Sequence, residues 1–176
     1  MVWGGWDGHE PLQCVERFAP FLQAEGFDVR VTDSLDVFLD STYMNSLTLV
    51  VPAWTGGSLT REQEKGLMDA VRSGTGLAGW HGGMGDTFIM NLEYQIAVGG
   101  RFIAHPGGLL RYRVDIVQPD DPIVKGLNSF EIESEQYYMH VDPGSEVLAT
   151  TTFGGDHIPW IAGTVMPVVW KRRFGE

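Results

Sequence analysis

The chain has 176 residues, of which 43% are hydrophobic and 20% charged, a balance that fits one globular domain with a substantial core. Its formal net charge of −11 would repel phosphate groups, so nucleic acid and anionic membranes are not expected as partners. A single cysteine, Cys14, excludes an intramolecular disulfide and a cysteine-rich metal site, and no apolar run reaches the roughly 20 residues of a transmembrane helix. We therefore expect a soluble, cytoplasmic protein.

The chain opens with a predicted helix and two predicted strands. The helix is expected to begin at Pro11, because proline is favoured at the first helical position, and to end before Gly26. Residues 27–33 alternate apolar and polar side chains, which predicts a strand. The apolar run at residues 47–54, "LTLVVPAW", is typical of a strand buried on both faces of a parallel sheet.

The middle of the chain continues the alternation of helices and strands. Thr60 and Gln63 have the spacing of a capping box, which predicts a helix from there to Gly74. A short strand at residues 76–80 and a helix at residues 87–97 follow. This order predicts an α/β fold with a mostly parallel sheet.

The second half has a different pattern, with strands separated by turns rich in Pro, Asp and Gly. We expect these strands to extend the sheet or to form a β-rich flap beside it. They are predicted at residues 112–117, 130–141, 145–153 and 166–170.

One glycine-rich turn follows the short strand. Gly79-Trp80-His81-Gly82-Gly83 has the small-x-nucleophile-x-small spacing of a strained nucleophile turn, with histidine in the nucleophile position. No cysteine lies nearby, and Cys14 is interpreted as a packing residue on the first helix. His81 can instead transfer protons near neutral pH or bind a metal.

Two more glycine-rich loops are expected at the same edge of the sheet, beyond the carboxyl ends of the strands, where α/β sheets bind ligands. They are "GGWDGHEP" after the opening strand and "AWTGG" after the buried strand. Trp80, next to His81, and several residues of these two loops are predicted to bind the substrate. The loop residues are Trp6, Asp7, His9, Trp54, Gly56 and Gly57.

Further candidates lie in the second half. Residues two apart on a strand share a face, so Glu133, Glu135 and Tyr137 are expected to point together. A carboxylate there could act as a general base or a metal ligand, or it could lie on a solvated strand face. His105, His140 and His157 are candidates of the same kind, with a hydrogen-bonded turn residue as the alternative for each. No histidine pair has the spacing of a helical zinc motif, so a divalent metal remains an open alternative without support from spacing.

The segments "GGWDGHEP", "AWTGGSLTREQ", "GTGLAGWHGGMGDTF", "GGRFIAHPGG", "ESEQYYMHVDP" and "MPVVWKRRFGE" together resemble the ThuA-like, or trehalose-utilisation, family. The resemblance implies a flavodoxin-like three-layer sandwich, as in class I glutamine amidotransferases, without their catalytic cysteine. It also implies a single ThuA-like domain over residues 1–176. Family members extend further at both ends, so we expect this chain to be a piece of a longer one.

The resemblance assigns roles to individual residues. His81 stands at the nucleophile position of the amidotransferases, and Gly56 and Gly57 stand in the loop that supplies their oxyanion-binding amides. Glu135 and Tyr137 match an acidic-aromatic segment of the family, with Tyr137 expected to bind the substrate, and His105 matches its His-Pro pair. The implied role is in the catabolism of a disaccharide or keto-sugar.

Three functions follow from these observations. The first is an isomerase, hydratase or hydrolase of a small-molecule carbohydrate that uses His81, Glu135 and His105. The second is a non-catalytic sugar- or partner-binding domain with Trp6, Trp54 and Trp80 as a stacking platform. The third, a glutamine amidotransferase, is not expected because the nucleophile is missing. Self-association into a homo-oligomer remains open.

Overall fold

The computed structural model describes all 176 residues, which form two compact units. The first unit comprises Met1–Val98 and Arg173–Glu176, and the second comprises Gly99–Arg172. None of the helices is both long enough and apolar enough to cross a membrane.

The first unit is built from parallel strand pairs and α-helices. Strand β1 (Val2–Gly5) pairs in parallel with β3 (Pro52–Thr55), and β2 (Leu49–Val50) pairs in parallel with β4 (Gly76–Leu77). Val51 separates β2 from β3, so the predicted buried strand is divided in two. The helices of this unit are α1 (Pro11–Ala24), α2 (Ser41–Met44), α3 (Arg61–Arg72) and α4 (Leu92–Val98), with 3-10 turns at Asp7–His9 and Leu35–Leu39.

Helices α1 and α3 confirm the sequence prediction. Pro11 is the first residue of α1, as expected for proline. Both hydrogen bonds of the capping box are present at α3: Gln63 donates its N–H to Thr60 Oγ1 over 3.2 Å, and Thr60 donates its N–H to Gln63 Oε1 over 2.9 Å. These signals are local, so the sequence alone suffices to place them.

The strand predicted at residues 27–33 is wrong, apart from one residue. Thr32 forms an isolated parallel bridge with Val2. Its N–H donates to the Met1 carbonyl, and its carbonyl accepts a hydrogen bond from the Trp3 N–H. Phe27 and Val31 remain 42% and 41% exposed. No neighbouring strand pairs with the other residues of this segment, so the alternating pattern does not produce the predicted strand.

The helix predicted at residues 87–97 begins five residues late, because tertiary contacts hold its first residues elsewhere. Thr87 donates its hydroxyl to the Trp54 carbonyl, and Phe88 donates its N–H to the Gly56 carbonyl over 3.2 Å. The first-turn backbone N–H groups of Glu93 and Tyr94 have no partner within α4 and donate instead to Glu64 Oε1, on helix α3.

The main core of the first unit lies beneath the glycine-rich loops. Phe38, Leu67, Met68, Phe88 and Tyr94 are all at most 1% exposed and belong to one cluster. Burial strongly raises the pKa of Tyr94, so its hydroxyl stays protonated and acts as a hydrogen-bond donor.

The second unit is antiparallel throughout. Strand β5 (Gly100–Ala104), which was not predicted, pairs with β8 (Tyr138–Val141). The other four strands form a sheet in the order β10-β9-β6-β7. They are β6 (Leu109–Ile116), β7 (Phe130–Glu135), β9 (Glu146–Thr152) and β10 (Val165–Lys171). Three of the strands predicted in this half are confirmed, whereas the one predicted at residues 130–141 is divided into β7 and β8, which lie in different sheets.

The fold is thus mixed α/β with small sheets, and a mostly parallel sheet is not confirmed. Two strand pairs are parallel, both in the first unit, and four are antiparallel, all in the second. Parallel neighbours need a long crossover, usually an α-helix, and the second unit contains only a 3-10 turn at Pro159–Ile161.

Candidate functional site

The turn that carries His81 is closed by its own backbone. The His81 carbonyl accepts N–H groups from Gly83 over 2.9 Å and from Asp86 over 3.1 Å, and the Trp80 carbonyl accepts from Met84 over 2.8 Å. The Tyr94 hydroxyl donates to the Gly83 carbonyl from the core side. These contacts hold the His81 side chain in a half-buried position, with 15% of it exposed.

Glycine is required in this turn because the backbone lies directly against β3. A Cβ atom on Gly82 would stand 2.8 Å from Thr55 Oγ1, and one on Gly83 would stand 1.9 Å from the Pro52 carbonyl oxygen. Neither position has room for a side chain, so the two glycines let His81 approach the end of β3.

His81 itself does not have a left-handed backbone conformation. The non-glycine residues with left-handed backbone angles are Glu10, at φ 49°, and Phe88, at φ 47°. Glu10 follows His9 directly, and Phe88 is hydrogen-bonded to Gly56. The strain therefore lies beside His81, in the two loops that surround it, and such residues tend to cluster at functional sites.

Parallel pairing of β1 and β3 brings His9 to the same place. Gly5 pairs with Thr55, so the loops that follow the two strands leave the sheet at one edge. His9 Nδ1 lies 2.8 Å from Thr55 Oγ1, and the His9 ring meets the His81 ring edge to face at a centroid distance of 4.8 Å. The hydroxyl of Thr55 thereby fixes one imidazole against the other.

A carboxylate completes this cluster. Asp86 Oδ2 lies 3.8 Å from His81 Nε2, within range of an ion pair when the imidazole is protonated but too far for a direct hydrogen bond. Thr55 and Asp86 were not predicted from the sequence. The available signal was that Asp86 ends the same glycine-rich turn and Thr55 ends the same buried strand.

The loop predicted to supply oxyanion-binding amides is present, but one of its two glycine amides already has a hydrogen-bond partner within the chain. Gly56 and Gly57 have φ values of 70° and 67°, which glycine adopts readily. Gly56 donates its N–H to the Asp86 carbonyl over 2.8 Å, so this amide is not available to a ligand. The Gly57 N–H is not among the internal hydrogen bonds of the chain.

The three tryptophans of these loops differ in exposure. Trp6 is 61% exposed, and the edge of its ring meets His9 at 4.7 Å. Trp80 is half-buried and packs against the tilted Phe18 ring at a centroid distance of 4.5 Å, and Trp54 packs against the main core. Asp7 is exposed in the 3-10 turn beside Trp6.

The second unit holds a separate cluster around His105. Its Nε2 lies 3.6 Å from Glu135 Oε1, and Tyr137 donates its hydroxyl to Glu135 Oε2 over 3.0 Å. Phe102 stacks on the His105 ring at 5.9 Å and meets the Tyr137 ring at 5.1 Å. The Phe102 contact was missed by the sequence analysis because β5 was not predicted.

The remaining candidates lie on exposed surfaces of the second unit. Glu133, His140 and His157 are all exposed. His140 contacts the Tyr138 ring at 6.4 Å, and the His157 ring packs over Gly107. Nowhere in the chain do three or more His, Cys, Asp or Glu side chains form a group that could hold a metal ion.

Fold and site together define a mixed α/β protein that presents an imidazole pair at the carboxyl ends of parallel strands. The ThuA family, described as trehalose utilisation, matches residues 1–176, and the chain belongs to this family. A solved structure of a protein described as ThuA-like, from Bacteroides uniformis ATCC 8492, shares the fold with a TM-score of 0.78. That similarity covers 97% of this chain and 75% of the other, at 16% identity. No protein with a curated description matches the sequence.

Proposed function

We propose that the protein is an enzyme of carbohydrate catabolism in which His81 transfers a proton next to the carbonyl group of a keto-sugar. Isomerisation, hydration and hydrolysis of a keto-glycoside can all use such a step. The observation that carries the proposal is the edge-to-face pair of His9 and His81, half-buried beside Asp86 and at the end of two parallel strands.

The chemistry follows from the neighbours of His81. A neutral imidazole accepts a proton from the substrate, and the Asp86 carboxylate, 3.8 Å from Nε2, stabilises the imidazolium that forms. Thr55 holds His9 by a 2.8 Å hydrogen bond, so that the two rings keep their geometry. The Gly57 N–H is the amide suited to an oxyanion that develops on the substrate.

Trp6 supports a carbohydrate as the substrate. It is 61% exposed and in contact with His9, so its face is accessible to a sugar ring beside the imidazole pair. Asp7, exposed next to it, can accept hydrogen bonds from sugar hydroxyls. Trp54 and Trp80 take part in packing and would shape the site from beneath.

In the second unit we propose that Glu135 and His105 form an acid/base group of their own. Glu135 accepts a hydrogen bond from Tyr137 and faces His105 at 3.6 Å, so the three side chains form a connected proton-transfer group. Tyr137 is a positioning residue for the carboxylate. The fold shared with a ThuA-like protein supports the flavodoxin-like, three-layer assignment.

A second candidate function is a non-catalytic domain that binds a sugar or a protein partner, and the exposure of Trp6 favours it. It predicts quenching of tryptophan fluorescence by sugars without product formation. Glutamine amidotransfer receives little support, because burial and the nearby Glu10 raise the pKa of the Cys14 thiol. A raised pKa leaves less of the thiolate that such chemistry needs.

The test is a turnover assay on a panel of keto-sugars and keto-glycosides, followed by NMR. His81→Ala is compared with His140→Ala, which removes an exposed histidine far from the turn in sequence. We expect His81→Ala to abolish product formation while circular dichroism stays unchanged, and His140→Ala to retain it. Equal turnover by both variants would reject the catalytic role, and sugar binding without any product by the wild type would favour the second function.

A further inference from the structure

His9 has a ring nitrogen that the rest of the chain leaves unused. Its Nδ1 lies 2.8 Å from Thr55 Oγ1, but no hydrogen bond or ion pair within the chain reaches its Nε2. The side chain is only half-buried, and Nε2 itself keeps contact with solvent. We propose that His9 is a second catalytic residue, which gives a proton to the carbonyl oxygen of the substrate while His81 takes one from the neighbouring carbon.

Thr55 fixes the direction in which this nitrogen points. Thr55 is the last residue of β3 and is 6% exposed, so its hydroxyl is a well-ordered partner for Nδ1. The turn of His81 lies against the same atom, since a Cβ on Gly82 would stand 3.1 Å from His9 Nδ1. Because Nδ1 is held between the strand and the turn, Nε2 is the nitrogen that faces away from both.

The two imidazoles are held in complementary ways. Nδ1 of His81 is buried and its Nε2 lies 3.8 Å from Asp86 Oδ2, so a carboxylate is placed to stabilise His81 once it has taken up a proton. His9 has the neutral hydroxyl of Thr55 as its partner instead. A hydroxyl accepts from Nδ1–H of an imidazolium and donates to Nδ1 of a neutral ring, so His9 keeps this partner in both protonation states.

This role rests on the proposed function and narrows it to isomerisation of an α-hydroxy ketone through an enediol. His81 takes the proton from the hydroxyl-bearing carbon, the C–H electron pair forms a C=C bond, and the carbonyl oxygen takes a proton from His9 Nε2. In the second half, His9 takes the proton of the other enediol hydroxyl, and His81 returns its proton to the former carbonyl carbon. Both rings regain their original charge, so no further reactant is needed.

The distance between the rings suits such a step. Their centroids are 4.8 Å apart, so both imidazoles can reach neighbouring atoms of one small molecule. The other ionisable groups around His9 are Asp7 and Glu10 in its own loop, Cys14 on α1, and Asp86 in the facing turn. Burial raises the pKa of the Cys14 thiol, so it stays protonated near neutral pH.

The experiment is hydrogen exchange in deuterated water from methyl 3-keto-glucopyranoside and from D-fructose, followed by NMR between about pH 5 and 9. His9→Gln should lower the exchange rate at pH 7 about 100-fold, because glutamine transfers no proton. The wild-type rate should decline at alkaline pH, where His9 has lost its proton, and this decline should be absent from His9→Gln. His140→Gln, which changes an exposed histidine of the second unit, should behave as the wild type does.

Two further measurements separate proton transfer from a structural role. Added imidazole should restore part of the exchange to His9→Ala, which a loss of packing alone would not allow. Thr55→Val should lower the exchange rate about tenfold with little change in KM, because it removes the hydrogen bond that orients His9, and Thr55→Ser should restore it.

The outcomes distinguish this role from the reaction itself. No exchange with the wild type would reject the proposed function and the role of His9 together. Exchange that is lost in His81→Gln but kept in His9→Gln would reject the role of His9 alone. If His9→Gln does not fold, equal exchange by Thr55→Val and the wild type would reject it.

Discussion

His81 in the first unit is 15% exposed and sits on a turn whose glycines lie against β3, whereas His105 in the second unit is 43% exposed and rests between the Phe102 ring and the Glu135 carboxylate. In the first case backbone contacts set the position of the imidazole. In the second, side chains from β5 and β7 do so. The comparison teaches that the same functional group can be held by main-chain geometry or by side-chain packing.

This difference has consequences for mutation. A contact between two backbone segments cannot relax by a change of rotamer, so a clash there must move the strand or the turn. A side-chain contact can adjust by a change of rotamer, and its loss lowers the free energy of unfolding by about the contribution of that one interaction. The first unit should therefore respond strongly to glycine substitutions and the second unit modestly to side-chain substitutions.

The largest expected effect is that of Gly83→Ala. The new Cβ atom would stand 1.9 Å from the Pro52 carbonyl oxygen, so the turn must shift. We expect the free energy of unfolding to fall by about 3 kcal/mol. Thermal denaturation followed by circular dichroism measures it.

Gly74→Ala is the matched control for this substitution. Gly74 has φ 106° but no atom within 4 Å of an added Cβ, so this change carries backbone strain without a clash. Its expected cost is about 1 kcal/mol. If both variants lose the same stability, close approach of the turn to β3 is not what holds His81.

A smaller effect is expected for Tyr137→Phe in the second unit. The change removes the hydroxyl that donates to Glu135 Oε2 over 3.0 Å. Stability should fall by about 1 kcal/mol, and turnover should fall with little change in KM. Denaturation and steady-state kinetics check the two effects.

Tyr138→Phe is the control, because its hydroxyl makes no internal hydrogen bond and the residue is next in the chain. Turnover of this variant should match the wild type. A loss of turnover in both variants, or in neither, would contradict the positioning role of Tyr137.

The smallest expected effect concerns a side-chain contact that responds to pH. A hydrogen bond from Lys171, and a second from the Ile123 N–H, lower the pKa of Asp121. A lowered pKa in the folded state means that the contact stabilises the protein above the unfolded value of about 3.9, and that this stabilisation disappears as the pH falls through the folded value.

Asp121→Asn should therefore lower Tm slightly at pH 7, and this loss should become smaller as the pH falls toward 2. Asp120→Asn, an exposed neighbour outside any ion pair, should have no effect at either pH. If Asp121→Asn lowered Tm more at pH 2 than at pH 7, the predicted direction of the pH dependence would be wrong.

The sequence predicted well those elements whose signals are local. Pro11 and the Thr60–Gln63 pair mark their helices within a few residues. Prediction failed where a distant segment decides the conformation. Thr87 and Phe88 are held by Trp54 and Gly56, so their helical pattern is overridden.

In the candidate site, too, local signals in the sequence were sufficient for some residues and long-range contacts decided the others. The glycine spacing placed His81 on a turn, and the order of strands placed the loops of His9 and His81 at one edge. The partners of these histidines, Thr55 and Asp86, depend on how the turn packs against β3. Spacing along the chain contains no information about that contact, so these residues could be found only in the structure.

The most direct test of the account is hydrogen exchange into a keto-sugar substrate in deuterated water, followed by NMR at the carbon next to the carbonyl group. It reports proton abstraction itself, whichever product forms. The account predicts exchange with the wild type and a rate roughly 100-fold lower with His81→Gln, since general base catalysis typically contributes that much or more. Exchange at the same rate with His81→Gln would contradict it.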